Sequence, residues 1–164
     1  MQTGKLLAAK SKNTYLLKLV GDVRLTLCCT LDQLFEKVFA DKEIQSIVID
    51  LTQADNLDST TLGLLAKIAV KASLAGLHQP SIISSNSDIT LLLESMGFRQ
   101  YFLIMEKPMT SDKDLSEVAQ LAGSEEHLRA QVLDAHRTLM AMNDQNKEVF
   151  KSVVQALEDC PHPS

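Results

Sequence analysis

The chain has 164 residues, 45% of them hydrophobic, and a formal net charge of -5 at pH 7. This length predicts one compact domain with an appendage, because single domains commonly run to about 100–150 residues. Acidic and basic residues are interspersed, without the Lys/Arg clustering that binding to a phosphate backbone requires, so we expect no nucleic acid partner. The sequence has no apolar run of about 18 residues, so we expect no membrane insertion and a cytoplasmic location.

Two strands and a helix are predicted in the first part of the chain. The runs Leu6–Ala9 and Thr14–Val20 are strand-like and are joined by a polar connection of hairpin length, so they should pair antiparallel. After a break, Arg24–Cys29 resumes the strand pattern, and Thr30 offers an N-cap for a helix with one apolar face.

A strand-helix-strand-helix-strand order is predicted next. The elements are a β-branched central strand over Ile44–Leu51, a polar loop at 52–56, a helix over Ser59–Ala75 closed by Gly76, a strand over Ser81–Ser84, a helix capped by Ser87 and Asp88, and a strand over Tyr101–Met105. This order implies right-handed crossovers and a mostly parallel sheet, which the N-terminal hairpin makes mixed. The predicted fold class is therefore α/β with a C-terminal α-helical extension.

Strand signals stop after residue 107, where Pro108–Asp112 is typical of a linker. We therefore divide the chain into a domain over 1–107 and a helical extension over 111–158. Ser111 is the predicted cap of a first extension helix, and Ser124 of a longer one. The longer helix carries a heptad-like stripe with one polar interruption: Leu128, Val132, Ala135, Leu139, Met142, Asn146, Val149, Val153 and Ala156.

Two interpretations of this stripe remain open. It is typical of a helical hairpin that packs on itself or on the sheet domain, and also of a surface for docking or dimerisation. The dipeptide Asn143-Asp144 is a second open point, because it can split the long helix into two.

The cysteines indicate neither a metal site nor a cofactor. Cys28 and Cys29 are adjacent and Cys160 is near the C-terminus, so no CxxC or Cys/His ligand spacing exists. We interpret them as small, semi-buried thiols in a reducing compartment.

The segment after the central strand carries the functional prediction. Asp58 is a good helix N-cap, and Ser59, Thr60 and Thr61 then occupy the first turn, where we expect exposed hydroxyls and free backbone N–H groups. A helix start of this kind favours a phosphate group. The spacing alone is equally typical of a plain helix cap.

The whole pattern resembles the STAS domain of bacterial anti-sigma-factor antagonists, in which a hydrophobic strand ends in an acidic residue and Asp-Ser-Ser/Thr-x-Leu-Gly opens a helix. Here the motif reads Asp58-Ser59-Thr60-Thr61-Leu62-Gly63. The segments Leu19–Val23 and Ser85–Phe98 agree with the same family, so the resemblance covers residues 3–107. Thr61 departs from it, because many relatives have Gly there, and so does the helical tail.

This resemblance implies a partner-switching regulator that is not an enzyme and has no catalytic residues. The unphosphorylated protein would bind an anti-sigma factor, often itself a serine kinase. Phosphorylation at Ser59, or alternatively at Thr60, would release that partner, and a PP2C-type phosphatase would reset it. The implied partner-binding residues are Asp22, Asp55, Asn56, Asp58, Ser59, Thr60, Thr61 and Gly63. We expect the C-terminal helices to mediate self-association or partner docking.

Three other interpretations compete. Asp50 ends the central strand, as does the phosphorylated residue of a receiver domain, but Asp22 alone does not make the acidic pair that such a domain needs for Mg²⁺. A STAS subunit of a transporter or of a stressosome-like complex would use the same helix to dock a fixed partner.

An enzyme is the third alternative. Ser59 would be the nucleophile, with Asp50, Asp55 and Asp58 as acid/base candidates, but no G-x-S-x-G elbow surrounds the serine. The histidines are scattered, and none lies in a context that predicts a partner for Ser59: His78, His127, His136 and His162. A serine without an activating base is a poor nucleophile.

Overall fold

The computed structural model describes residues 3–107 and 115–159. The strands are β1 (Lys5–Ser11), β2 (Thr14–Val23), β3 (Ser46–Leu57), β4 (Ser81–Ile83), β5 (Leu103–Met105) and β6 (Ser116–Glu117). The helices are α1 (Cys28–Ala40), α2 (Ser59–Leu74), α3 (Ser87–Ser95), α4 (Glu125–Met142) and α5 (Asp144–Asp159).

The strands form one six-stranded mixed sheet in the order β5-β4-β3-β2-β1-β6. Strands β2 to β5 pair in parallel, and β1 pairs antiparallel with β2 on one side and with β6 on the other. The predicted mixed, mostly parallel sheet and N-terminal hairpin are thus confirmed. The hairpin turns at Lys12, whose φ of 56° is left-handed.

The core is aliphatic and continues from the sheet into the C-terminal helices. Ile49 and Leu51 of β3 and Leu65 of α2 are fully buried, as expected for a strand with cover on both faces. Ala135 and Leu139 of α4 belong to the same core cluster. Helices α4 and α5 are therefore packed on the sheet domain.

Two predicted elements before α2 are wrong in their boundaries. Arg24–Cys29 is not a strand, because Leu25–Leu27 forms a 3₁₀ turn and α1 already begins at Cys28, without Thr30 as its cap. The turn is held by a long-range contact, in which the Leu25 N–H donates to the Asp58 carboxylate at 2.7 Å. The predicted polar loop at 52–56 belongs to β3, since it continues the ladder with β2.

The first predicted helix of the extension is also wrong where it can be assessed. Its cap, Ser111, lies outside the described residues, and from residue 115 onward the chain is extended and contributes β6 to the sheet. The Val118 N–H donates to the Leu6 carbonyl oxygen at 2.9 Å, and the Leu121 N–H to Thr30 Oγ1 at 2.8 Å. Helix propensity is weak compared with the gain from covering the open edge of β1.

The longer predicted helix begins at Ser124 as expected, but it divides at Asn143 into α4 and α5. Of the two interpretations of the heptad-like stripe, the hairpin that packs on itself and on the domain is the one found. The stripe does not continue as one face, because Val149 and Val153 of α5 are 54% and 40% exposed while Phe150 is buried. The break at Asn143 resets the helical register.

We expect Asn146→Ala to loosen the α4–α5 junction. Asn146 is 1% exposed and its Nδ2 donates to the Met96 carbonyl oxygen at 2.9 Å. Losing this buried donor should lower the free energy of unfolding by about 1–3 kcal/mol. Urea unfolding measures it, with the exposed neighbour Gln145→Ala as the control, and equal stability of the two variants would contradict the prediction.

Candidate functional site

The site lies where β2 and β3 end and α2 begins. Asp22 and Asn56 are register partners in the two strands, and Asn56 Nδ2 donates to Asp22 Oδ1 at 3.3 Å. The Asp58 N–H donates to the Val23 carbonyl oxygen at 3.3 Å. The hydrogen bonds between β2 and β3 therefore extend to Asp58, the residue before α2. Parallel strands thus bring three of the predicted partner-binding residues, Asp22, Asn56 and Asp58, to one edge of the sheet.

Asp58 is the N-cap of α2, as the sequence predicts. Its Oδ1 accepts from the Thr61 N–H at 2.8 Å and from Thr61 Oγ1 at 2.7 Å, while Oδ2 accepts from the Leu25 N–H at 2.7 Å. A capping carboxylate satisfies backbone donors that the helix itself leaves unpaired. Asp58 therefore fixes both the start of α2 and the turn before α1.

The expectation of three exposed hydroxyls in the first turn of α2 is wrong. Thr60 and Thr61 are 3% and 1% exposed, and Thr61 Oγ1 is engaged by the cap. Only Ser59 keeps partial exposure. The reason is that this turn is covered by other parts of the fold, so Thr60, the alternative phosphorylation site, is closed to a kinase in this conformation.

A histidine that the sequence did not associate with the site contacts Ser59. His136 Nε2, in α4, lies 2.8 Å from Ser59 Oγ across 77 positions of sequence. The other ring nitrogen, Nδ1, lies 2.7 Å from the Val132 carbonyl oxygen. A carbonyl oxygen only accepts, so Nδ1 carries the proton in the neutral ring and Nε2 accepts from the serine hydroxyl.

The prediction that no histidine partners Ser59 is therefore wrong. No local motif around His136 marks it, and the only sequence signal is the apolar stripe of its helix, which predicts packing but not the element it meets. A serine that donates to a neutral histidine has the geometry of an activated nucleophile. However, the His136 ring is 4% exposed and packs edge-on against Phe150, so the ring itself does not line an open substrate site.

Acidic and polar side chains lie at the C-terminal ends of β2 and β3. Asp55 and Asn56 are exposed, and Asp22 forms an ion pair of 2.6 Å with Arg24. By contrast, Asp50 is 2% exposed and its Oδ1 accepts from both the backbone N–H and the hydroxyl of Thr52. The carboxylate on which the receiver interpretation depends is sealed under the strand ends.

Among the described residues, the thiols and histidines form no further centre. Cys28 and Cys29 are free and buried, and burial raises the pKa of the Cys28 thiol to about 12. Within residues 3–107 and 115–159, three or more His, Cys, Asp or Glu side chains nowhere cluster as metal ligands do. Over the same residues, every helix is too short or too polar to cross a membrane.

The family model of the STAS domain matches residues 5–109. The chain belongs to the STAS-domain family. No curated protein matches it significantly. The STAS domain here includes β1 to β5 and α1 to α3, whereas α4 and α5 lie beyond the matched residues.

Solved structures of anti-sigma factor antagonists share its fold. One from Mycobacterium paratuberculosis is 18% identical with a TM-score of 0.55, covering 64% of this chain and 87% of its own. The antagonist SpoIIAA in its unphosphorylated form is 10% identical with a TM-score of 0.53, covering 65% and 90%. The Bacillus cell fate determinant SpoIIAA in its phosphorylated form is 11% identical with a TM-score of 0.50, covering 64% and 93%.

Proposed function

We propose that this STAS-domain protein is an anti-sigma-factor antagonist that acts by partner switching. In its unphosphorylated form it binds an anti-sigma factor or serine kinase through the start of α2, and phosphorylation of Ser59 releases that partner. The observation that carries the proposal is the position of Ser59: a partly exposed serine in the first turn of α2, inside the matched family segment and directly after the N-cap Asp58.

Electrostatics gives the modification its effect. A kinase would transfer the terminal phosphoryl group of ATP to Ser59 Oγ, breaking the bond to the departing ADP and releasing the hydroxyl proton. The side chain would gain about -1.5 to -2 charges at neutral pH. Because Ser59 directly follows Asp58, a partner surface docked there would have to accommodate the added bulk, the desolvation of the new charge and repulsion from its own acidic groups.

The size of this effect is sufficient for a switch. A loss of about 3 kcal/mol of binding free energy weakens affinity by roughly two orders of magnitude, which reverses a competition between partners without refolding the domain. A PP2C-type phosphatase would restore the unphosphorylated form. No step requires this chain to carry out chemistry itself.

We further propose that the chain divides functionally into the STAS domain over 1–107 and the helical extension over 111–158. The family match to 5–109 supports this division. The extension adds β6 and the α4–α5 hairpin to the STAS domain. The residues between the two parts, 108–114, lie outside the described structure.

Binding measurements with and without phosphate at Ser59 test the switch. The partner is first captured from lysate with the unmodified chain, identified by mass spectrometry and purified. Its dissociation constant is then measured for the unmodified chain and for chain carrying phosphoserine at position 59. We expect affinity to fall about 100-fold on phosphorylation.

Two variants make the result specific. Ser59→Ala should bind the partner but take up no phosphate from ATP and the cognate kinase, whereas Ser73→Ala, an exposed serine at the other end of α2, should behave as wild type. Phosphate mapped to another residue, or a partner indifferent to phosphoserine 59, would overturn the proposal. A captured transporter subunit would favour the fixed-scaffold interpretation instead.

A further inference from the structure

The surface of α2 that begins at Ser59 is already covered by the chain's own C-terminal hairpin, α4 and α5. Ala135 of α4 lies directly over Gly63, so closely that a Cβ on that glycine would come within 2.3 Å of the Ala135 carbonyl oxygen. One turn further along α2, Lys67 Nζ lies 2.6 Å from Asp134 Oδ2. A partner protein that binds this side of α2 therefore has to displace the hairpin.

We propose that the α4–α5 hairpin is an intramolecular occupant of α2 that competes with the partner protein for the unphosphorylated site, and that phosphorylation of Ser59 displaces the hairpin just as it displaces the partner. This rests on the proposed function, because it gives a regulatory device to the same site. It adds a role for the extension and predicts a closed and an open form of the chain.

The docked hairpin contacts the very oxygen that phosphorylation would modify. The serine oxygen is 2.8 Å from His136 Nε2, and phosphorylation adds a phosphorus and three oxygens at that oxygen while removing the proton that makes the bond. The ring of His136 is fixed by its Nδ1 bond to Val132 and by Phe150, whose ring centroid is 5.4 Å away. In the proposed open form, α4 moves away from this oxygen.

The polar contacts of the hairpin interface contribute little to its stability. Gln131 of α4 is buried, and its Oε1 has no hydrogen-bond partner among the described residues, while its Nε2 reaches the Cys28 carbonyl oxygen only at 3.5 Å. A buried acceptor that lacks a partner costs stability that water would restore on opening. The Lys67–Asp134 ion pair is partly exposed, so it adds little to hold the interface closed.

Two native thiols report whether the hairpin is docked. Cys29 Sγ lies 3.3 Å from where a Cβ on Gly123 would be, two residues before α4, and the Cys28 carbonyl oxygen lies 3.5 Å from Gln131 Nε2 of α4. Both are buried in the closed form. In a Cys160→Ser background, their rate of reaction with an aromatic disulfide reagent therefore measures opening.

The test compares full-length chain with and without genetically encoded phosphoserine at position 59. We expect the thiols to react about tenfold faster or more in the phosphorylated chain, and the amides of α4 and α5 to lose hydrogen-exchange protection while those of β3 keep theirs. Unchanged thiol reactivity and unchanged protection would overturn the proposal. Loss of protection throughout, β3 included, would also overturn it, because that would be global unfolding.

A charge-reversal pair tests the same device without phosphate. Asp134→Arg places a cation opposite Lys67 and should speed thiol labelling severalfold. Glu148→Arg makes the same charge change at an exposed position of α5 and should stay within about twofold of the parent chain. Equal rates for the two variants would count against the hairpin contact.

The outcome is separable from that of the proposed function, since no partner is present in either experiment. A partner that ignores phosphoserine 59 would refute the switch and leave hairpin release standing. Conversely, phosphorylation-sensitive partner binding by a chain whose thiols stay protected would refute the hairpin proposal alone.

Discussion

Asp58→Ala should lower the free energy of unfolding by about 2–4 kcal/mol, because it removes a helix cap and a long-range anchor together. The lost carboxylate accepts from the Thr61 N–H, the Thr61 hydroxyl and the Leu25 N–H. Alanine offers no oxygen, so both backbone donors lose their partner. Urea unfolding followed by circular dichroism measures the change.

Asp58→Asn and Asp55→Ala are the matched comparisons. Asparagine keeps one acceptor oxygen, so its loss of stability should be intermediate. Asp55 is exposed in β3, three residues before the cap, and its removal should change the unfolding free energy by less than about 0.5 kcal/mol. If Asp58→Ala lowered the unfolding free energy as little as Asp55→Ala, the hydrogen bonds of the Asp58 carboxylate would not contribute to stability.

Gly63→Ala should destabilise the chain by about 1–3 kcal/mol, although alanine in a helix interior normally gains about 1 kcal/mol over glycine. The sign reverses because the added Cβ would meet the Ala135 carbonyl oxygen at 2.3 Å and the Ala135 Cβ at 2.7 Å. Backbone at that distance cannot turn aside as a side chain can. Either α4 shifts away from α2 or the whole hairpin undocks.

Urea unfolding and the thiol-labelling rate together distinguish these responses. Lower stability with faster labelling of Cys28 and Cys29 indicates undocking, whereas lower stability with unchanged labelling indicates local strain. Ser73→Ala adds helix propensity at an exposed position of the same helix and is the control. A stabilised Gly63→Ala protein would contradict the close packing of α4 on α2.

Local patterns were sufficient for the elements that are stabilised locally. The N-cap at Asp58 and the glycine that follows α2, Gly76 with a φ of 76°, are single-residue conformational preferences that do not depend on distant parts of the chain. The central strand was recognisable because burial on both faces selects β-branched residues. The alternation of strands and helices predicted the mostly parallel sheet.

The wrongly predicted segments have a common physical cause. Leu25–Leu27 and β6 take their conformations from hydrogen bonds to Asp58 and β1, which are far away in sequence and outweigh local propensity. Burial of Thr60 likewise depends on what packs over the first turn of α2.

The sequence alone determined that this chain is a STAS-domain protein with a capped serine at the start of its second helix, since capping, periodicity and a motif are local. The tertiary structure decided that the extension folds back onto that helix and that His136 accepts a hydrogen bond from Ser59. An apolar stripe predicts that a helix will be buried. Which part of the fold the helix packs against depends on how the side chains of both surfaces fit together.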